Sequence, residues 1–316
     1  MNPTEILTQL LELIAALAAA PLFVGWIDKC RAWLQNRRAP SMWLPYRSIR
    51  KLFHKEAVIA SGASPLFRIA PYVVFSSMAL AAAIIPSMGT GLPLSTSADA
   101  IALVGLLATA RVFMALAAMD IGTAFGTLGA RREMMIGFLA EPALLMVIFV
   151  ASLISATTAL PAIAEHLATQ AVGVYPSLAF TAIAFTMVLL AENARIPIDN
   201  PATHLELTMI HEALLLEYSA RHLALMEWAA GLKLFNYACI GFALFIPWGL
   251  STGDSGPGAL LASIPLLTAK LAVAGGVLAL IETLSAKLRI FRAPEFLAAA
   301  FLLAVLGLLV HLLLGA

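Results

Sequence analysis

The sequence predicts an all-α integral membrane protein with eight transmembrane helices, both termini on the outer side, and amphipathic helices in the first and third inner loops. Three observations predict it. Of 316 residues, 61% are hydrophobic and 12% charged, about half the charge of an average soluble domain (roughly 25%). Stretches of about 20 or more residues without Asp, Glu, Lys or Arg recur, the length needed to cross a hydrocarbon core of about 30 Å. Among the connections, only alternate ones hold Lys and Arg, which is the positive-inside pattern of an even number of crossings.

The first span, near 4–27, carries Glu12. No basic residue precedes Lys29, so the segment reads as a retained helix and not as a secretory signal. The loop that follows, 28–69, holds Lys29, Arg31, Arg37, Arg38, Arg47, Arg50, Lys51, Lys55 and Arg68. Within 46–57, Ile49, Leu52 and Phe53 recur at i, i+3 and i+4 while Arg47, Arg50, Lys51 and His54 face elsewhere, the pattern of an interfacial helix resting on a lipid bilayer. The second span, near 70–88, ends in the Pro/Gly-rich turn Pro86–Pro93, and the third, near 100–119, carries Arg111. Arg131 and Arg132 precede the fourth span, near 136–157, and a connection without Lys or Arg leads to the fifth, near 173–193.

The third inner loop reads Glu192-Asn193-Ala194-Arg195-Ile196-Pro197-Ile198-Asp199-Asn200-Pro201. Asn200 as N-cap and Pro201 at the first helical position predict a helix from 201 to about 219. It puts His204 and His211 two turns apart on one face, and Glu206 and Glu217 three turns apart on one face. Such a helix is too polar to span and belongs at the inner membrane surface, against protein. The sixth span, near 223–249, and the seventh, near 259–283 with Lys270, flank the turn Ser251–Gly258, and Lys287, Arg289 and Arg292 precede the eighth, near 294–314. Neither repeats nor a low-complexity tail interrupt this pattern, so 1–316 reads as one membrane domain without the inverted repeats of many transporters.

The same residues exclude several functions. A net charge of +1 gives no basis for nucleic-acid binding. Cys30 and Cys239 have neither a Cys-x-x-Cys partner nor a nearby histidine, so they form no disulfide framework and hold no zinc or iron–sulfur cluster. His211-Glu212 lacks the second His at 215 that a zinc-protease helix needs, and neither a nucleophile elbow nor a phosphate-binding loop is present. The reading is a chain with no catalytic centre, no bound metal and no redox cofactor of its own.

Charges inside spans remain to be explained. A charged group at the bilayer centre costs roughly 2.5–3.5 kcal/mol even on insertion scales, so it tends to face the bundle or a water-filled cavity. Arg111 and Lys270 lie mid-span, while Glu141, Glu192, Glu227, Lys233 and Glu282 lie in the inner halves or at the inner ends of spans. Together they read as a proton or ion path.

Ala191–Pro201, followed by Leu205-Glu206-Leu207 and Glu217-Tyr218-Ser219, resembles the signature loop of the respiratory complex I subunit 1 family. That family includes the corresponding membrane subunits of formate hydrogenlyase and of energy-converting [NiFe] hydrogenases. Arg37–Pro40 through Lys55-Glu56 is similar to the family's first inner loop. Asp120–Gly126, Gly129–Glu133 and Glu141-Pro142 resemble its hydrogenase branch, and Lys233, Lys270, Glu282 and Ala286–Arg289 complete a match over nearly the whole chain.

The resemblance implies a non-catalytic membrane subunit that anchors a peripheral redox arm and couples electron transfer to proton or sodium translocation. It implies a coupling route through Glu141, Glu192, Glu206, Glu217, Glu227 and Glu282, with Arg111, Lys233 and Lys270 beside them. The arm would meet Arg31, Arg37, Arg47, Lys51, Glu56, Asp120, Arg132, Arg195, Asp199, His204 and His211. Its partners would be hydrogenase-like large and small subunits and an iron–sulfur subunit, which carry the [NiFe] centre and clusters, and antiporter-like membrane subunits. Quinone-reducing members usually have Gly-Pro-Asn where this chain has Ala39-Pro40-Ser41, and an acid where it has His204. The Glu206-to-Glu217 interval is also nearly one helical turn longer than in those members. These departures favour the hydrogenase branch over a quinone-site subunit of an NADH:quinone oxidoreductase. A stand-alone cation or proton transporter is the third alternative.

Overall fold

The computed structural model describes residues 3–60, 62–96, 99–169, 175–198, 210–251, 257–286, 288 and 292–314. Asp199, His204 and Glu206 therefore lie outside the described residues. All named elements are helical: α1 (Pro3–Leu34), α2 (Leu44–Phe53), α3 (Pro65–Ile84), α4 (Ala100–Asp120), α5 (Ala124–Ser155), α6 (Leu160–Thr169), α7 (Pro176–Glu192), α8 (His211–Leu215), α9 (Ala220–Phe245), α10 (Pro257–Leu284) and α11 (Ala293–Leu314). Among the described residues no strand occurs, only an isolated bridge between Gly89 and Ser251.

The helix starts follow their capping chemistry. Ser64 accepts from Leu66 N at 3.1 Å with Pro65 behind it, Asp99 accepts from Ala102 N at 3.1 Å, and Thr123 from Gly126 N at 3.3 Å, each satisfying an otherwise orphaned first-turn donor. Among the described residues, seven helices are long and apolar enough to cross a membrane: Ile6–Leu34, Pro65–Ile84, Ala100–Asp120, Ala124–Ser155, Ala220–Phe245, Ala262–Leu284 and Ala293–Leu313. The exception is α7, an apolar helix of 17 residues. At 1.5 Å per residue it is roughly 25 Å long, short of a hydrocarbon core of about 30 Å.

Three differences from the sequence expectations have local causes. The fourth span does not begin at 136: α5 starts at Ala124, because Gly122, at φ 72°, turns α4 directly into it. Gly126 lets the hairpin close, since a Cβ there would stand 2.6 Å from Ala118 O. The helix expected through 219 stops at Leu215. Tyr218 is drawn out to stack on Phe67, with centroids 4.1 Å apart, while Ser219 Oγ donates to Val58 O at 2.7 Å and accepts from Val58 N at 2.9 Å. In the first inner loop the helix is Leu44–Phe53, not 46–57, with Pro45 at its start; the chain beyond is committed to the Val58–Ser219 pairing. The connection after α5 also contains a short helix, α6, where the sequence predicts only a connection.

Successive long helices pack antiparallel, α3 on α4, α4 on α5 and α5 on α7, with α9 against α1, α2 and α3 in the middle, and α10 and α11 at the rims. At one end Glu12 accepts from Gly89 N at 2.7 Å and from Ser87 N at 3.2 Å, and Thr90 N donates to Ser251 O at 2.9 Å. The other, basic end gathers the basic connections. There Tyr218 donates to Phe67 O at 3.1 Å and Ser64 N to Asp120 Oδ2 at 2.8 Å. Burial and the neighbouring Asp120 carboxylate push the Tyr218 phenol above its ordinary range, so it stays protonated and keeps that donor.

Candidate functional site: a buried charge cluster at a cavity

Arg111 projects from the middle of α4 and is 3% exposed. Its guanidinium meets three carboxylates: Nη1 pairs with Glu141, Nη2 with Glu192, and Nε lies 3.5 Å from Glu133 Oε1. Lys233 Nζ reaches Glu192 Oε2 at 2.9 Å, and His211 Nε2 lies 3.2 Å from Glu133 Oε2. Four helices and the α8 segment thus converge on one network, and a planar fork with donors on several sides is the group suited to bind three carboxylates.

The local sequence explains the convergence. Glu133, Gly137 and Glu141 stand at i, i+4 and i+8, one stripe along α5 facing α4. Gly137 leaves the space that the guanidinium fills: a Cβ there would stand 2.7 Å from Arg111 Cδ and 3.0 Å from Cζ. Because α7 is short, its last residue, Glu192, ends inside the bundle at 2% exposure. The negative pole of the helix then faces Arg111 and Lys233, a favourable placement for cations.

Gly137→Ala is expected to displace the pinned guanidinium and destabilise the chain by about 1–3 kcal/mol, the usual cost of overpacking. A lowered melting temperature of the detergent-purified protein checks this, and an unchanged one contradicts it.

A second network lies toward the basic end. Glu282 of α10, buried at 4%, accepts from Arg195 Nη1 at 3.1 Å and Arg31 Nη1 at 3.4 Å, and Arg31 also pairs with Asp28 at 2.9 Å. Leu288 N donates to Pro197 O at 2.8 Å, so the chain after α7 is strapped to the end of α10. Between the two networks lies a cavity of about 460 Å³ walled by α1, α2, α3, α4, α9 and residues 192–196. Asp28, Arg31, Arg111, Glu192, Arg195, His211, Glu227, Lys233 and Glu282 face it among apolar side chains such as Val24, Ile49, Val74, Met78 and Leu107. Charged groups of both signs on an otherwise apolar wall suit a compartment that admits protons or ions to a dry interior.

The expected ion-path residues are therefore only partly united. Arg111, Glu141, Glu192 and Lys233 share the buried cluster, and Glu227 and Glu282 stand on the cavity wall. Glu217 is exposed beyond α8. Lys270 is elsewhere: its ammonium donates to Ile246 O at 2.6 Å and Trp248 O at 2.7 Å, capping the far end of α9, where a cation meets otherwise unpaired carbonyls.

Of the expected arm-facing residues, Arg37, Arg47, Lys51 and Glu56 are exposed at the basic end and Arg132 is half-buried. Arg31 and Arg195 pair with Glu282, Asp120 accepts from Ser64 N, and His211 lies beside Glu133 in the cluster. Sequence reasoning missed Glu133, which follows Arg131-Arg132 and so reads as loop; its spacing to Gly137 and Glu141 was the available signal. Among the described residues no group of three or more His, Cys, Asp or Glu is placed to hold a metal ion.

Comparison with known proteins places this geometry. The family model described as NADH dehydrogenase matches residues 7–313. Hydrogenase-4 component C of Escherichia coli K12 is 36% identical over 241 residues, covering 76% of this chain and 75% of that protein. Formate hydrogenlyase subunit 4 of the same organism is 32% identical over 297 residues, covering 94% and 95%. A chain of the archaeal membrane-bound sulfane sulfur reductase, a respiratory membrane complex, has the same fold, with a TM-score of 0.82 at 20% identity over 96% of this chain and 98% of that one. A match of this extent, over a multi-pass helical bundle whose buried acids converge on Arg111, makes the chain a member of the NADH dehydrogenase, or respiratory complex I subunit 1, family.

Proposed function

We propose that the chain is the non-catalytic membrane subunit of a hydrogenase- or formate-hydrogenlyase-like complex in a bacterial or archaeal cytoplasmic membrane, where it anchors a peripheral redox arm and couples electron transfer to proton or sodium translocation. The observation that carries this reading is the buried cluster itself. Arg111 and four other formally charged side chains, Glu133, Glu141, Glu192 and Lys233, are gathered beside a cavity, at a desolvation cost that packing alone does not require. Relatives in E. coli named as hydrogenase and formate hydrogenlyase components support the choice of branch.

In this reading the chain crosses the bilayer eight times with both termini outside, α7 being the short fifth crossing, and the basic end faces the cytoplasm by the positive-inside rule. The amphipathic α2 lies at the inner surface, and Asp199 and His204 belong with Arg37, Arg47, Lys51, Glu56 and Arg132 to the arm interface. The [NiFe] centre and iron–sulfur clusters belong to the partner large, small and iron–sulfur subunits. Glu141, whose side chain is 34% exposed, faces outward from α5 and hands the ion on to an antiporter-like neighbour.

The test is isolation of the tagged chain from native membranes, followed by reconstitution in liposomes. Iron–sulfur-containing partners should co-purify, and adding the complex's electron donor should drive ion uptake that an ionophore collapses. Ion transport by the purified single chain would instead establish a stand-alone transporter. A second reading has one observation in its favour: the cavity is apolar enough, between α1, α2 and α3, for an isoprenoid quinone. Quinone retained by the purified complex in native mass spectrometry would decide for it.

A further inference from the structure

We propose that His211 and Glu133 form the proton-loading gate of the buried cluster, His211 taking a proton from the cavity and delivering it to Glu133. The proposal rests on the coupling role argued above and adds its entrance. Glu133 is 1% exposed and does not line the cavity, whereas His211 does. Two cavity-lining groups reach Glu133, the Arg111 guanidinium with Nε 3.5 Å from Oε1 and the imidazole with Nε2 3.2 Å from Oε2; of the two only the imidazole can give up its proton.

Its position is held by the backbone. One turn before Glu133, Gly129 lets α8 seat directly on α5: a Cβ there would stand 2.9 Å from Ala213 Cβ and 3.1 Å from Ile210 O. His211, at the first residue of α8, is thereby fixed over Glu133.

Charge explains why this site takes a proton. Around Arg111 and Lys233 stand three carboxylates, Glu133, Glu141 and Glu192, so two positive charges face three negative ones and the cluster carries one excess negative charge. A proton on His211 balances it. The charged groups that share the cavity wall with the imidazole are Asp28 and Arg31 from α1, Arg111 from α4, Glu192 and Arg195 at and after the end of α7, Glu227 and Lys233 from α9, and Glu282 from α10, with Glu212 next to it on α8. Transfer then breaks the Nε2–H bond and forms an Oε2–H bond, leaving a neutral imidazole and a neutral carboxylic acid. Glu133 so neutralised no longer competes for Arg111, whose remaining partners are Glu192 and the outward-facing Glu141. Loading at His211 is felt at the surface of α5 through that guanidinium.

The intact complex carrying His211→Gln, His211→Arg or Glu133→Gln tests the gate. Gln and Arg mimic the two charge states of the histidine, and neither relays a proton. The expected result is electron transfer close to wild type in the presence of an uncoupler, with ions moved per electron lowered about tenfold or more in all three variants. The dependence of pumping on pH should flatten in both His211 variants. Wild-type pumping and pH dependence in either His211 variant would overturn the gate, as would failure of both His211 complexes to assemble, which would mark the residue as a structural pin. A wild-type complex that moves no ions would sink the coupling role itself, a different failure.

Discussion

Arg111→Met is expected to be the most damaging single substitution in the chain. The side chain is buried at 3% exposure between Glu133 and Glu192, themselves at 1% and 2%, and the change leaves these carboxylates without the guanidinium that compensates them. Breaking a buried pair from one side costs about 3–5 kcal/mol, a large part of the 5–15 kcal/mol that separates folded from unfolded states in typical domains. The carboxylates escape part of this cost only by taking up protons, which removes the charge on which the site depends.

The expected outcome is a sharp fall in the amount of chain recovered from membranes, and in the melting temperature of what is recovered. Arg111→Lys is expected to be intermediate, because a single ammonium cannot serve three carboxylates arranged around a planar fork. The double variant Arg111→Met with Glu192→Met should recover part of the loss, since removing both partners strands less charge than removing one. A wild-type melting temperature for Arg111→Met alone would show that the cluster contributes nothing to the fold.

Glu192→Gln is expected to have the largest effect on coupling while leaving the fold intact. The amide has the shape of the carboxylate and still accepts a hydrogen bond, so Arg111 keeps Glu133 and Glu141, and α7 keeps its packing. What changes is the charge: the cluster's excess of one negative charge disappears, and Lys233 loses the carboxylate 2.9 Å away. Loss of one charged hydrogen bond is worth about 1.5–3 kcal/mol, a moderate stability effect. For an ion-carrying state that depends on that negative charge, the same change removes about tenfold or more, at ~1.4 kcal/mol per factor of ten.

The bundle was legible in the sequence because a membrane imposes a simple rule: apolar runs of a given length must be helices, and basic residues mark one side. Their boundaries were less legible. The start of α5 depends on a glycine at positive φ and on the close approach of Gly126 to Ala118, which hydropathy does not register. The end of α8 depends on Tyr218 leaving the helix for Phe67, more than 150 residues away in the chain, a tertiary contact that overrides local propensity. The acids at helix ends, Glu192 and Glu282, were found because their isolation within apolar sequence is costly.

Partners were legible only where the sequence left one choice. Lys270 was isolated in sequence, yet its ammonium meets backbone carbonyls at the end of α9, which carry no mark in composition. Glu133 was hidden by the opposite effect, two arginines beside it that made an interior position look like a loop. Arg31 and Arg195 were legible as basic-loop residues, but not as the pair that holds Glu282.

The central claim is that the cluster around Arg111 carries the coupling, and it is tested most directly by counting ions moved per electron in liposomes containing the intact complex with Glu192→Gln or Glu141→Gln. Assembled complexes that keep transferring electrons with an uncoupler present, but whose ion movement falls about tenfold or more, are the predicted result. Wild-type ions per electron in both variants would contradict the account.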